Sequence, residues 1–375
     1  MRAVVLSHAY LEPARRGRLR ALAGLGCEIA AAVPDRWPIM PGVLTRPQWE
    51  DDGGVRVVPV TVGGPIEDPA EVRWSGRALR RMLKEFRPDL LQIEEEPWTR
   101  AAARAAADAR KLRIPFVAHT RHTPDLSLGA RMRRRSVLGG ARGIVAENPI
   151  VDAELARDFP EQPRTIVPQA GITPPLSSRR PDADAFVLGC VGRIVPALGL
   201  DVLLRACVRL ARPWRLLVSG TGPAQVELEA LAERLGIAAR VTWLGAQPAE
   251  DRDRIWPTLD CLVVPSRSST DRVETLGLSA LKAMAHGVPV IVSNVGALPG
   301  TVGAGGIVVP DGDVDALAEA LEQLAGEPAR RAAAAAAGRK RAMEEFSNEV
   351  LARRTLEFWR HATGSAAPAP AAAAV

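Results

Sequence analysis

Three stretches in the second half of the chain hold residues whose types and spacing suit the handling of a phosphate. In "GRIVPALGLDVLLRA" a strand ends at Gly192, Arg193 projects from its carboxyl end and a helix begins near Asp201. A guanidinium at that place can clamp a diphosphate through its planar donors. "VSGTGP" sets Ser219, Gly220 and Gly222 directly after a strand, where bare backbone amides can approach a phosphate or nucleotide, although an ordinary turn would read the same way. In "ETLGLSALKAMAHGVPVIVSNVG" Glu274 opens a loop and Gly277 makes a tight turn into a helix. The amides near Thr275, Leu276 and Gly277 sit at its N-terminus, where free N–H groups and the helix dipole attract anions. Leu278, Ala280, Leu281, Ala283, Met284 and Ala285 make that helix apolar, yet it carries Lys282, and a buried lysine needs a partner.

The first half offers other candidates. "PFVAHTRHTPDL" ends a strand with His119 and His122 at its mouth. Glu94, Glu95 and Glu96 precede Pro97 and Trp98 at another strand end; neighbours on a strand point to opposite faces and cannot flank one glycosidic bond, so a binding or helix-start role is expected. Asp251 and Asp253 resemble a metal-binding spacing, but in "PAEDRDRIW" they read as acidic charge at the start of a helix, and no metal site is expected. His286, before Gly287, reads as a structural residue at a helix C-terminus. Arg131, Arg133, Arg134, Arg135 and Arg142 form a basic region that either faces solvent or rests on anionic lipid.

These residues need strands and helices to hold them, and the pattern supplies both. Seven short apolar runs, from "RAVVLSHAY" to "RTIVPQ", alternate with helical stretches such as "SGRALRRMLKEF" and "AAARAAADARKLR". Repetition of strand, helix, strand predicts a parallel sheet covered on both faces. "ITPPLSSRRPDAD" interrupts the alternation, which then restarts at "AFVLGCVGRIV" and runs to "GIVVP". The expected organisation is α/β, with two Rossmann-like doubly wound domains at 1–173 and 185–343 and a linker at 174–184. A helix at 344–362 and a disordered tail at 363–375 complete it. In such sheets ligands bind beyond the carboxyl ends of the strands, so a cleft between the domains is the expected active site.

Composition narrows the function. The 375 residues are 47% hydrophobic and 25% charged with net charge +6, which is ordinary globular protein with some preference for anionic partners. With one Tyr and six Phe, and no stretch mixing aromatic and basic residues as single-strand readers do, no nucleic-acid partner is expected. Only four of the 49 basic residues are lysines, as expected of a GC-rich bacterial coding sequence. Cys27, Cys190, Cys207 and Cys261 are widely spaced and read as reduced core residues of a cytoplasmic protein. No apolar run reaches the length of a signal or membrane segment, so the chain is expected in the cytoplasm or peripherally on the inner face of the membrane.

Along nearly its whole length the sequence resembles the retaining glycosyltransferases of family 4, glycosyl transferases group 1, with the two-domain GT-B fold. The resemblance is carried by "LSHAYLEPARRGRLRALAGLG", "LLQIEEEPW", "GRIVPALGLDVLLRA", "SGTGP", "VTWLGAQP", the segment from "PSR" to "ETLGL" and "SNVGALP" with "GIVVPDGDVDALAEAL". It implies transfer of a sugar from a nucleoside diphosphate sugar, UDP- or GDP-linked, to a saccharide, lipid-linked or small-molecule acceptor, with retention at the anomeric carbon and no cofactor. It implies that Arg193 holds the diphosphate, that Glu274 lies near the sugar and that His122 lies at the mouth of its strand near the same sugar. Two positions depart from the family: Leu198 stands where a second diphosphate-binding lysine is usual, and Lys282 where a ribose-binding glutamate is usual. Lys282 then either restores the lost cation, or marks a degenerate binding or partner protein, or reflects a different donor. A nucleotide-sugar epimerase on the same fold is the remaining alternative.

Overall fold

The computed structural model describes all residues except 41–42, 67, 69, 174–184, 248–251, 270–273 and 365–375. The expected linker, Asp251 and most of the expected tail therefore lie outside the described residues. The chain divides into two compact units, Met1–Gly171 with the segment from Asn348 onward, and Ile172–Ser347.

The first unit is built on strands β1 (Arg2–Leu6), β2 (Glu28–Pro34), β3 (Trp37–Met40), β4 (Val43–Thr45), β5 (Glu50–Asp52), β6 (Val55–Val60), β7 (Val62–Gly63), β8 (Arg73–Trp74), β9 (Leu90–Ile93), β10 (Phe116–Thr120), β11 (Ile144–Ala146) and β12 (Arg164–Ile166). Its helices are α1 (Gly17–Gly24), α2 (Gly76–Phe86), α3 (Arg100–Leu112), α4 (Leu128–Gly139) and α5 (Pro149–Asp158). The main sheet runs in the order β12-β11-β10-β9-β1-β2-β6-β5, parallel except for the antiparallel edge pair β5 and β6. Along β1 the residues alternate between two cores: Val4 and Leu6 pack with Ile93, Phe116 and Ala118, while Ala3 and Val5 pack with Val117, Val145 and Leu90. Both faces of a parallel sheet must be covered by helices, which is why every residue of β9 and β10 is buried.

The second unit has β13 (Phe186–Val191), β14 (Trp214–Ser219), β15 (Val241–Gly245), β16 (Cys261–Val264), β17 (Val290–Ser293) and β18 (Ile307–Val309), all parallel in the order β15-β14-β13-β16-β17-β18. Around them lie α6 (Leu200–Cys207), α7 (Gln225–Arg234), α8 (Leu278–Ala285), α9 (Leu298–Val302), α10 (Val314–Gly326) and α11 (Pro328–Phe346). A final helix, α12 (Asn348–Ala362), belongs to the first unit, where Leu351, Leu356 and Trp359 enter the core beside β1 and α1. It starts at Asn348 rather than 344, because α11 continues to Phe346 and breaks only where Ser347 turns extended.

In each sheet the strand order reverses once. The first unit fills outward from β1 in one direction and from β9 in the other; the second does the same from β13 and β16. Loops leaving such a reversal diverge to opposite faces and leave a crevice at the carboxyl ends of the strands.

Candidate active site

At the reversal of the second unit, the loop after β13 is stitched to the loop after β14. Gly192 N donates to Ser219 O at 3.0 Å, Ile194 N to Thr221 O at 3.0 Å, and Ala224 N to Ile194 O at 3.2 Å. Glycines permit this approach. Gly220 holds φ +135°, and a Cβ on it would overlap the Gly192 carbonyl; one on Gly222 would overlap the Ile194 carbonyl. The close backbone contact of "SGTGP" is thus made first of all to the neighbouring loop. Ser219 is buried, and Arg193, carried on the stitched loop, is exposed with no ion pair to a described residue.

Leu198 does not face this surface. It is buried in the core of the unit with Leu200, Leu203 and Cys190, and a Cβ on Gly192 would meet its side chain at 3.2 Å. The loop after β13 is also tied to the one after β16: Arg267 N donates to Ala197 O at 2.9 Å and the Arg267 guanidinium to Asp201 at 2.9 Å.

The segment from Glu274 to Gly277 is fixed from behind. Glu274 O accepts from Ala297 N at 2.8 Å and Leu276 O from Thr301 Oγ1 at 2.7 Å, both partners belonging to the β17 to α9 region. Gly277, at φ +68° and ψ +49°, is the N-cap of α8, and an added Cβ would lie 2.6 Å from Leu298 Cδ2. Glu274 and Thr275 are half-buried, Leu276 and Gly277 buried.

Lys282 has a partner that the sequence did not disclose. Its Nζ lies 3.0 Å from Asp253 Oδ1, with the lysine side chain 32% exposed and the aspartate 58%. The expected helix after Asp253 is absent, because Pro257 breaks the chain into two short 3-10 turns, Arg252–Arg254 and Trp256–Thr258. Asp253 is therefore no helix-start charge; it accepts from Trp256 Nε1 at 3.0 Å and from Lys282. Partial burial works against its charge, but these two donors hold its carboxyl below the usual range. His286 caps the C-terminus of α8, where burial lowers its affinity for a proton.

In the first unit each of three consecutive glutamates after β9 has its own partner from another element. Glu94 is enclosed by Arg18, Tyr10, Gln92 and Gln169: Tyr10 Oη donates at 2.5 Å, Gln169 Nε2 at 3.0 Å, and Arg18 and Gln92 complete the shell. Burial alone would raise its pKa, yet Arg18, His119 and these donors bring it down to about 2. Arg18 also reaches Thr355 at 3.3 Å, and Trp359 Nε1 donates to Gln92 at 2.6 Å, so α12 is fastened to the same network. Glu95 pairs with His8, and Glu96 with Arg121 at 2.9 Å, Thr120 Oγ1 at 3.0 Å and, more loosely, His122 Nδ1 at 3.6 Å. The Glu96 carbonyl also accepts from Thr99, the N-cap of α3.

The two histidines of "AHTRH" separate. His119 is buried with Nε2 2.9 Å from Glu147 Oε2, whereas His122 is half-exposed and meets the Trp98 ring edge-on at 5.1 Å. Of the basic region, Arg134 pairs with Asp158 at 2.8 Å and stacks over Phe159, and Arg133 donates to Trp98 O at 2.7 Å. Arg131, Arg135 and Arg142 are exposed, as are Leu128 and Met132. His8 and its stacking partner Trp37 escaped the sequence reading. A polar residue immediately after the first strand was the available signal, but its partner Glu95 lies 87 positions away.

Among the described residues there is no group of three or more His, Cys, Asp or Glu arranged to hold a metal ion, and no helix long and apolar enough to cross a membrane.

Residues 13–170 match a family model described as glycosyl transferase 4-like domain, and residues 177–341 one described as glycosyl transferases group 1. The chain is 36% identical over 287 residues to a D-inositol 3-phosphate glycosyltransferase of Rhodococcus opacus, covering 67% of this chain and 63% of that protein. It is 38% identical over 174 residues to a GDP-mannose-dependent monoacylated alpha-(1-6)-phosphatidylinositol monomannoside mannosyltransferase of Corynebacterium glutamicum, 45% of each. The match thus spans less than two thirds of the length of these relatives. Among solved structures, sucrose-phosphate synthase from Thermosynechococcus elongatus superposes with a TM-score of 0.74 at 20% identity, covering 98% of this chain and 100% of that one. Anabaena HepE in complex with UDP gives 0.74 at 17%, covering 96% and 99%.

Proposed function

Because the chain consists of a glycosyltransferase 4-like domain followed by a group 1 glycosyltransferase domain in the GT-B fold, we propose that it moves a sugar from a nucleoside diphosphate sugar to an acceptor hydroxyl, with retention at the anomeric carbon. The observation that carries this reading is the surface at the reversal of the second unit. There the exposed Arg193 rides on a loop stitched to Gly220 and Gly222, and the neighbouring strand's loop leads to Glu274 and the start of α8.

In this reading Arg193 and the amides near Thr275, Leu276 and Gly277 stabilise the departing diphosphate by fixed charge and dipole, Ser219 lines the nucleotide, and Glu274 meets the sugar. Such preorganised donors cost no rearrangement when the bond breaks. The donor is UDP- or GDP-linked, and a cyclitol phosphate or phosphatidylinositol mannoside acceptor is supported by what the relatives' names say of those proteins. Exposed Leu128 and Met132 beside Arg131 and Arg135 on α4 suit peripheral contact with an anionic membrane.

A second reading is favoured by two observations: Leu198 is committed to the core, and the Lys282 ammonium is engaged by Asp253. Together they describe a site that binds a donor weakly or not at all, as in a partner subunit without turnover. Calorimetric titration with UDP, GDP and ADP, followed by NMR of the product anomer with UDP- and GDP-sugars, separates the two. Binding without turnover supports the second reading, and a folded protein that binds none of the three at millimolar concentration ends the first.

A further inference from the structure

We propose that His8, Glu95 and Trp37 form a subsite in the first unit that accepts a ring hydroxyl of a polyol, a cyclitol or pyranose. The proposal rests on the transferase reading only in that it gives that reading an acceptor site; the geometry comes from the first unit alone.

His8 lies one residue beyond the end of β1 and opens a 3-10 turn capped by Ser7, whose Oγ accepts from Ala9 N at 3.1 Å. Glu95 follows the adjacent strand β9. Its carboxylate takes three contacts from this one residue: His8 N at 2.7 Å and His8 Nδ1 at 3.0 and 2.9 Å from the two oxygens. Burial works against charge on Glu95, but His8 and the nearby Arg121 hold its carboxyl below the usual range. An ionised carboxylate can only accept, so Nδ1 must carry the imidazole proton. In the neutral ring, the form this proposal requires, Nε2 is then left as a lone-pair acceptor, and it makes no hydrogen bond to a described residue.

The imidazole cannot swing away, because its face lies on Trp37 with centroids 4.7 Å apart and planes 19° apart. Both rings are half-buried and keep part of their surface exposed. A fixed acceptor beside an aromatic wall matches a ring polyol, whose C–H face packs on an indole while an equatorial hydroxyl donates to nitrogen. The other carboxylates at these strand ends are already engaged: Glu94 by Arg18, Glu96 by Arg121, and Glu147 by the Gln169 amide.

The test uses the full chain with two probes, myo-inositol and methyl α-mannopyranoside. Long-range proton–nitrogen NMR of the five histidines reads the tautomer directly. His8 is expected to carry its proton on Nδ1, and saturating probe should move its Nε2 resonance more than that of His119. His8→Ala and Trp37→Leu should each weaken probe binding about tenfold, the value of one lost hydrogen bond or wall contact, while UDP and GDP affinities stay unchanged. His8→Gln should retain more binding than His8→Asn, since the Gln carbonyl reaches the Nε2 position whereas the Asn amide replaces only Nδ1. A purely structural pairing with Glu95 would reverse that order. An Nε2–H tautomer in the unmutated protein, or probe binding indifferent to His8→Ala, overturns the proposal. Nucleotide binding with no response to either probe defeats the subsite but not the transferase reading. Probe response without nucleotide binding does the opposite.

Discussion

The pair Lys282 and Asp253 offers the sharpest test of the donor side, because the two roles open to the lysine predict different responses to one substitution. Asp253→Asn keeps an oxygen for Trp256 Nε1 but removes the charge that holds Lys282 Nζ at 3.0 Å. With side chains 32% and 58% exposed, the pair is a surface ion pair, so its loss should cost folding no more than about 1 kcal/mol. If Lys282 reaches a bound diphosphate, it must first give up Asp253, and freeing it in advance should tighten UDP or GDP binding by up to about fivefold, the equivalent of that 1 kcal/mol. Lys282→Ala should then weaken diphosphate binding roughly tenfold to a hundredfold, as for a charged hydrogen bond of about 1.5–3 kcal/mol, and leave uridine or guanosine binding unaltered. Adding Leu198→Lys would not rescue it, since position 198 points into the core. Calorimetry of the nucleoside and the diphosphate at two salt concentrations measures both effects. If Asp253→Asn leaves the affinity unchanged and Lys282→Ala does the same, the lysine is a partner for Asp253 and nothing more.

Three further outcomes follow from other parts of the molecule. Glu94→Gln leaves Arg18, 1% exposed, without its counter-charge and should destabilise the first unit by about 3–5 kcal/mol in chemical denaturation; a loss under about 1 kcal/mol would show that Arg18 finds solvent. The Glu94 carboxyl lies at about 2 against an ordinary 4.5, so the native state binds fewer protons than the unfolded chain between those values. Stability is therefore full above pH 4.5 and falls as the pH drops toward 2, by about 3 kcal/mol from this group, and denaturation midpoints measured through that window should lose this slope in Glu94→Gln. Gly220→Ala should cost at least about 2 kcal/mol and abolish diphosphate binding, because its Cβ would overlap the Gly192 carbonyl at a φ of +135° and push the Arg193 loop aside; unchanged binding would mean that loop has no part in the site.

The sheets were legible from sequence because a parallel strand buried on both faces leaves a short, unbroken apolar run, and "AVVL", "LLVS" and "VIVS" are such runs. β5 and β8 were not, for the opposite reason: "EDD" and "RW" pair only at an edge, and nothing in their composition requires it. The loops that carry Arg193 and Glu274 were found because glycines mark where backbone meets backbone. What sequence spacing does not carry is which charge answers which. Asp253 and Lys282 are 29 positions apart, Glu95 and His8 87, and Glu94 and Arg18 76. Yet the cost of burying ionised groups limits the possibilities: three adjacent acids sunk at one strand end each require a cation or hydrogen-bond donors from a neighbouring element, or they would protonate. Once Arg18, His8 and Arg121 are assigned to Glu94, Glu95 and Glu96, none of the three carboxylates is free to act as an acid or base. Their effect on any reaction must then pass through the partners, and of these only His8 has an atom with a lone pair left to offer.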